Sequence, residues 1–221
     1  MCLLAIERSS ALGSVAIFRE GACLLETRVE LRAGGSGPDA CAMVDQALAE
    51  AGIGAEAIRN FAIGLGPGSF SGIRSALAFV TGMALPEELP IIGINSAFAT
   101  AWGVMQSRGA ERVSVVGDAR RGSLWLVTCR RGGATLQVEE DLRLVPREQL
   151  LAELPPATLV ASPDWSRLGT WLKDQLAPER LLAVPAMPSA RAVGELSLDP
   201  LVRRFDPPLP LYLHPAVVAP G

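Results

Sequence analysis

The chain opens with short apolar runs separated by polar turns. Cys2-Leu3-Leu4-Ala5-Ile6 is one run, closed by Glu7, and 13–18 is a second. Arg19-Glu20-Gly21 supplies a turn into a third strand over 22–31, so the start predicts a β-meander. Gly34-Gly35-Ser36-Gly37-Pro38 is a loop, and Asp39 is placed to cap a helix reaching Ala51. On that helix Met43, Val44, Ala47, Leu48 and Ala51 share one face. A strand over 60–65 runs into Gly66-Pro67-Gly68, after which Ser69 or Ser71 can cap a helix over 70–85. A strand over 90–94 and a helix over 96–106 follow.

The second half restarts the first. A β-branched strand over 112–117 ends at Asp118, a second strand runs over 122–127, and a turn at Arg131-Gly132-Gly133 leads into a third strand through Leu144. Each half thus places a carboxylate, Glu7 or Asp118, at the end of its first strand. Each then opens its second strand with Gly-Ser, at Gly13-Ser14 and Gly122-Ser123. The repeat predicts an α/β chain of two similar lobes, 1–106 and 107–221, in the arrangement of the actin, hexokinase and Hsp70 ATPase class. Beyond 146 the pattern predicts helices over 148–154 and 165–176, short strands over 158–161 and 181–184, and a helical turn over 191–196. The Pro-rich tail over 206–221 reads as extended.

Composition narrows the function. Hydrophobic residues make up 49% of the 221 and charged residues only 19%, so part of the apolar surface is available to a partner. A net charge of −3 and a pI near 5.3 exclude a strongly basic nucleic-acid footprint. Cys2, Cys23, Cys41 and Cys129 form no C-x-x-C pair, so neither a zinc knuckle nor a redox motif is present, and they read as small buried hydrophobes. The first apolar run is too short for a signal peptide or a membrane span, which predicts a cytoplasmic protein.

The densest punctuation is Gly64-Leu65-Gly66-Pro67-Gly68-Ser69-Phe70-Ser71-Gly72-Ile73-Arg74. A strand, a Gly-rich turn and a helix N-terminus offer N–H groups to an anion, with Ser69, Ser71 and Arg74 at hand. The plain alternative is a tight turn with a helix cap. Neither the dinucleotide pattern nor the P-loop fits, and G-x-S-x-G fails because Phe70 stands where serine is needed. His214 is the sole histidine, so a Ser-His-Asp site requires the tail to fold back, and a two-histidine metal site is excluded. Glu7-Arg8-Ser9-Ser10 and Asp118-Ala119-Arg120-Arg121-Gly122 can face one cleft. The first of these loops carries Arg8 where a phosphate-crowding loop wants glycine. A vestigial nucleotide cleft of Glu7, Ser9, Ser10, Gly66, Gly68, Ser69, Asp118 and Arg120 is the reading that results. The helix over 70–85 has one charge in about four turns, so it must be covered on all sides, inside a core or under another chain. Ser75, Ala78 and Gly82 would let a second helix come close.

The run from Gly66 to Arg74 resembles the G-P-G-S-F-T-G-[VI]-R signature of the TsaB (YeaZ) family, with Ser71 in place of threonine. Leu4-Ala5-Ile6-Glu7, Asp118-Ala119-Arg120-Arg121-Gly122 and Pro210-Leu211-Tyr212-Leu213 resemble further family stretches in the same order. The resemblance covers roughly residues 1–215. It implies a two-lobed, actin-like (ASKHA, ribonuclease H-like) duplicated α/β fold with no catalysis, metal or cofactor of its own. It also implies partnership with the catalytic subunit TsaD. With the ATPase TsaE, that pair transfers a threonylcarbamoyl group to the adenosine beside the tRNA anticodon, tRNA being met only through the complex. The family packs the helices matching 39–51 and 70–85 against their counterparts in TsaD. A partner face of Met43, Val44, Ala47, Phe70, Ile73, Arg74, Leu77, Ala78, Phe79 and Val80 follows, with a homodimer through the same helices when TsaD is absent. The rival expectation is an enzyme, either an actin-like ATPase or a peptidase-like hydrolase.

Overall fold

The computed structural model describes residues 1–31 and 37–213. The chain begins with the meander β1 (Cys2–Glu7), β2 (Leu12–Arg19) and β3 (Ala22–Glu30), then α1 (Ala40–Ala51), β4 (Ile58–Gly64), α2 (Phe70–Ala84), β5 (Ile91–Ile94) and α3 (Ser96–Arg108). The second half repeats the meander as β6 (Arg112–Arg120), β7 (Ser123–Gly132) and β8 (Thr135–Pro146). It continues through α4 (Leu150–Glu153), β9 (Leu159–Ala161), α5 (Trp165–Gln175) and α6 (Ala190–Leu198).

Two sheets form, of order β3-β2-β1-β4-β5 and β8-β7-β6-β9. In each the meander is antiparallel and a later strand joins the first one in parallel, β4 beside β1 and β9 beside β6. The repeated carboxylates occupy corresponding places: Glu7 pairs with Ser14 and Asp118 with Leu124.

Both faces of the central strands are covered, which is why these strands read as apolar runs and not as alternation. Cys2, Leu4 and Ile6 of β1 enter one core with Met43, Val44 and Ala47 of α1 and Ala76 and Val80 of α2. Leu3 and Ala5 enter another, shared with Val113 and Val115 of β6 and Trp125 and Val127 of β7. A third core gathers Leu124 and Leu126 of β7 under Leu168 and Leu172 of α5. Helices and sheets therefore stack in five layers, with α3 and α6 in the middle.

The middle layer is an exchange. α3 follows the first sheet yet packs on β6 and β7, while α6 follows the second sheet yet packs on β1, β2 and β4. Sequence reading expected only one helical turn over 191–196, whereas α6 has nine residues, with Ser189 as its cap. It is docked by polar contacts as well: the Ala190 N–H donates to Ser14 Oγ at 2.7 Å, and Trp102 Nε1 donates to Glu195 Oε2 at 2.8 Å. The strand expected over 181–184 is reduced to a single bridge between Leu181 and Val160, since β9 is only three residues long. Phe205 then pairs with Gly93 at the edge of β5, and the Leu211 N–H donates to the Leu65 carbonyl at 2.9 Å. Residues 190–213 thus lie against the first sheet. The tail beyond them, with His214, is outside the described residues.

Cys2 and Cys129 are buried as expected, but Cys23 is half-buried and Cys41 exposed. No helix among the described residues is long and apolar enough to cross a membrane.

Because Ser14 Oγ accepts the buried Ala190 N–H at the start of α6, Ser14→Ala leaves that donor unsatisfied. We expect a loss of about 1–3 kcal/mol in urea unfolding, and no loss would mean that this hydrogen bond does not help to hold α6.

Candidate functional site

Between the two lobes lies a cavity of about 1230 Å³, larger than the roughly 300–1,000 Å³ usual for a small-molecule pocket. Its first wall is the β1–β2 loop and the start of α2; its second is the end of β6 and the start of α5. Residues 210–213 close one side.

Glu7 lies beneath the first wall at 0% exposure. Its Oε1 accepts the Ser9 N–H at 2.5 Å and its Oε2 the Ser96 hydroxyl at 2.6 Å, while Ser96 Oγ accepts the Gly66 N–H at 2.9 Å. One carboxylate therefore ties together the ends of β1 and β4 and the start of α3. Burial pushes its pKa above the ordinary value of 4.5, against the pull of the hydrogen bonds from Ser9 and Ser96.

The Gly-rich turn is pressed onto the β1–β2 loop. The Ser69 N–H donates to the Ser9 carbonyl at 2.7 Å, and Ser69 Oγ caps α2 by accepting from the Gly72 N–H at 3.2 Å. A Cβ on Gly68 would sit 2.0 Å from the Ser9 carbonyl oxygen, and one on Gly72 2.1 Å from that of Arg8. Both obstacles are backbone and cannot swing away, which is the physical content of G-P-G-S-F-S-G: two bare Cα atoms let two loops touch.

On the second wall the Asp118 N–H donates to Asp164 Oδ2 at 2.9 Å, and Asp118 Oδ1 accepts the Arg120 N–H at 2.9 Å. Arg120 and Arg167 approach Asp118 at 3.5 and 3.6 Å, and Arg167 approaches Asp164 at 3.8 Å. Burial raises the Asp164 pKa, partly offset by the Asp118 N–H and Arg167. At the mouth Arg74 lies 3.7 Å above the Phe70 ring and donates from Nε to Tyr212 Oη at 2.9 Å.

Of the residues read as a nucleotide cleft, Ser9, Ser10, Gly68, Ser69, Asp118 and Arg120 line the cavity. Glu7 and Gly66 do not; they lie behind the first wall, both hydrogen-bonded to Ser96, which does. The partner face is divided more sharply. Met43, Val44, Ala47, Ile73 and Val80 are buried in the protein's own core and Leu77 and Phe79 are half-buried, leaving Phe70, Arg74 and Ala78 exposed. Apolar spacing marked the side of each helix that must cover the first sheet, so the residues it selected became core. Asp164, Arg167 and Tyr212 were not singled out as site residues. Asp164 precedes an amphipathic helix and reads as an ordinary cap, yet its side chain makes no cap bond and turns to Asp118. Among the described residues no group of three or more His, Cys, Asp or Glu is arranged to hold a metal.

A duplicated sheet of this order, helices exchanged across the middle and a cleft between the halves define a two-lobed actin-like (ASKHA) protein. The family model of TsaD, tRNA N6-adenosine threonylcarbamoyltransferase, matches residues 39–160 of the 221. The chain belongs to that family, and within it to the TsaB (YeaZ) proteins. The tRNA threonylcarbamoyladenosine biosynthesis protein TsaB of Escherichia coli K12 is 29% identical over 170 residues, 77% of this chain and 71% of that one. The protein of the same name from Haemophilus influenzae is 35% identical over 83 residues, 38% of this chain and 35% of its own. The structure of YeaZ from Pseudomonas aeruginosa superposes with a TM-score of 0.71 over 89% of this chain and 90% of that one, at 24% identity. The family and fold expected from the signature are thus both found.

Two outcomes follow from this geometry. Gly72→Ala should destabilise the protein by about 2–4 kcal/mol in denaturant unfolding, since neither backbone can yield; a loss under about 0.5 kcal/mol would mean that the loops separate readily. Glu7 binds its proton more tightly folded than unfolded, so its contribution to stability is complete below 4.5 and is lost as pH rises through the raised folded value. The stability difference between the wild type and Glu7→Gln should therefore shift against the wild type as pH rises, and a pH-independent difference would contradict the assignment.

Proposed function

We propose that this chain is a non-catalytic subunit of tRNA threonylcarbamoyladenosine biosynthesis that docks the transferase TsaD through the outward side of α2. The observation that carries the reading is that side of the helix. Ser71, Ser75, Ala78, Thr81 and Gly82 are exposed along it, Phe70 and Leu85 stand exposed at its two ends, and Arg74 is its only charge. Small residues in a row let another helix approach closely, and the apolar ends supply area to bury. α1 supports this surface from within through Met43, Val44 and Ala47. TsaE and tRNA are met through the assembled complex in the cytoplasm, and a second copy of the chain uses the same side when TsaD is absent.

The non-catalytic part of the reading rests on the cleft. The carboxylate that ends β1 is enclosed behind the first wall, and the Ser69 N–H at the start of α2 is engaged by the Ser9 carbonyl. The Ser69 N–H is therefore not free to receive a phosphate there, and the Glu7 carboxylate does not reach the cavity.

Ala78→Arg and Gly82→Arg test the docking side. A side chain at Gly82 has open space in the free chain, so both variants should fold. By size-exclusion chromatography with light scattering, the wild type mixed with TsaD of the same organism should run at the mass of the complex. The variants should bind at least about tenfold more weakly. Variants that bind as tightly as the wild type would move the interface elsewhere.

A further inference from the structure

Four arginines line the interlobe cavity: Arg8, Arg74, Arg120 and Arg167. Three have partners on its walls. Arg74 holds Tyr212 and lies on Phe70, Arg120 approaches Asp118, and Arg167 approaches Asp118 and Asp164. Arg8 is different. Its Nε and Nη1 are enclosed without a hydrogen-bond partner, and it forms no ion pair among the described residues. Asp39 is the nearby acid acting on it, but that carboxylate caps α1 by accepting the Ala42 N–H at 2.8 Å.

An arginine drawn partly out of water with unpaired N–H groups is a costly arrangement. A guanidinium presents its donors as a planar fork that matches two oxygens of one anion. Folding alone gives no reason to hold this charge at the cavity wall, since a neutral side chain would spare the desolvation. We propose that Arg8 anchors an anion subsite in the interlobe cavity, receiving the carboxylate or phosphate group of a small molecule. Arg8 lines the cavity, and Ser71, exposed at the start of α2, lines it as well and is at hand to assist. This subsite is centred on Arg8 in the loop after β1, shares only Ser71 with the outward side of α2, and does not depend on the docking reading.

The test is thermal unfolding of the full chain in sodium phosphate, in sodium malonate and in sodium chloride at matched ionic strength, for the wild type, Arg8→Met and Arg121→Gln. Arg121 is exposed and lies outside the cavity. Phosphate or malonate should raise the wild-type Tm by roughly 3–6 °C at ten times its dissociation constant. A shift with phosphate alone assigns a phosphoryl group, and one with malonate alone a carboxylate. Arg121→Gln should keep the shift. Arg8→Met should lose it while being at least as stable as the wild type in chloride. Should Arg8→Met fold poorly, Arg8→Lys keeps the charge without the fork and should show a diminished shift. A wild-type shift no larger than that in chloride, or one undiminished in the Arg8 variants, overturns the proposal.

Discussion

α3 and α6 share the layer between the two sheets and pack on each other. Each is buried between two sheets, and each crosses to the sheet built by the other half of the chain. Removing α6 would uncover Leu3, Ala5 and Phe18 of the first meander, while removing α3 would uncover Val113, Val115 and Val127 of the second. Such burial is the dominant favourable contribution to folding, so the two lobes stand or fall together. A cavity between them keeps its shape because its walls are joined underneath by a common layer.

Glu7 carries that rigidity to the cleft. A carboxylate at no exposure is tolerated only where its oxygens find donors, and the donors here come from the loop after β1 and the start of α3. Ser96 relays the connection to Gly66, and the Ser9 carbonyl holds Ser69. The loop after β1 is in this way held in an internal brace that joins β1, the Gly-rich turn and α3. Arg8, next in sequence to Glu7, is left with Nε and Nη1 enclosed and unpaired.

α2 links this interior to the outside. Its inner residues Ile73, Ala76, Val80 and Ala84 close the core over the first sheet, while its outer residues are small and nearly uncharged. The same helix begins at the brace and ends at exposed Leu85. Residues 205–213 run along β5 and back to the mouth of the cleft, where Tyr212 fastens Arg74. A partner seated on α2 would therefore touch an element fixed at one end to the cleft wall.

Much of this was legible in the order of residues. The two meanders, the caps Asp39 and Ser69, the strand after α1 and the glycine-rich signature were all readable, because hydrogen-bond geometry and apolar period act over a few residues and leave their mark locally. The repeat of Glu7 and Asp118 announced two halves for the same reason. What the order could not reveal is which sheet a helix will cross to, or which side of α2 turns inward. Met43, Val44 and Ile73 are equally apolar whether they meet their own sheet or another chain, and Asp164 is equally a cap or a partner of Asp118. Those choices depend on contacts between residues far apart in sequence, which carry no period, and only the folded chain decided them.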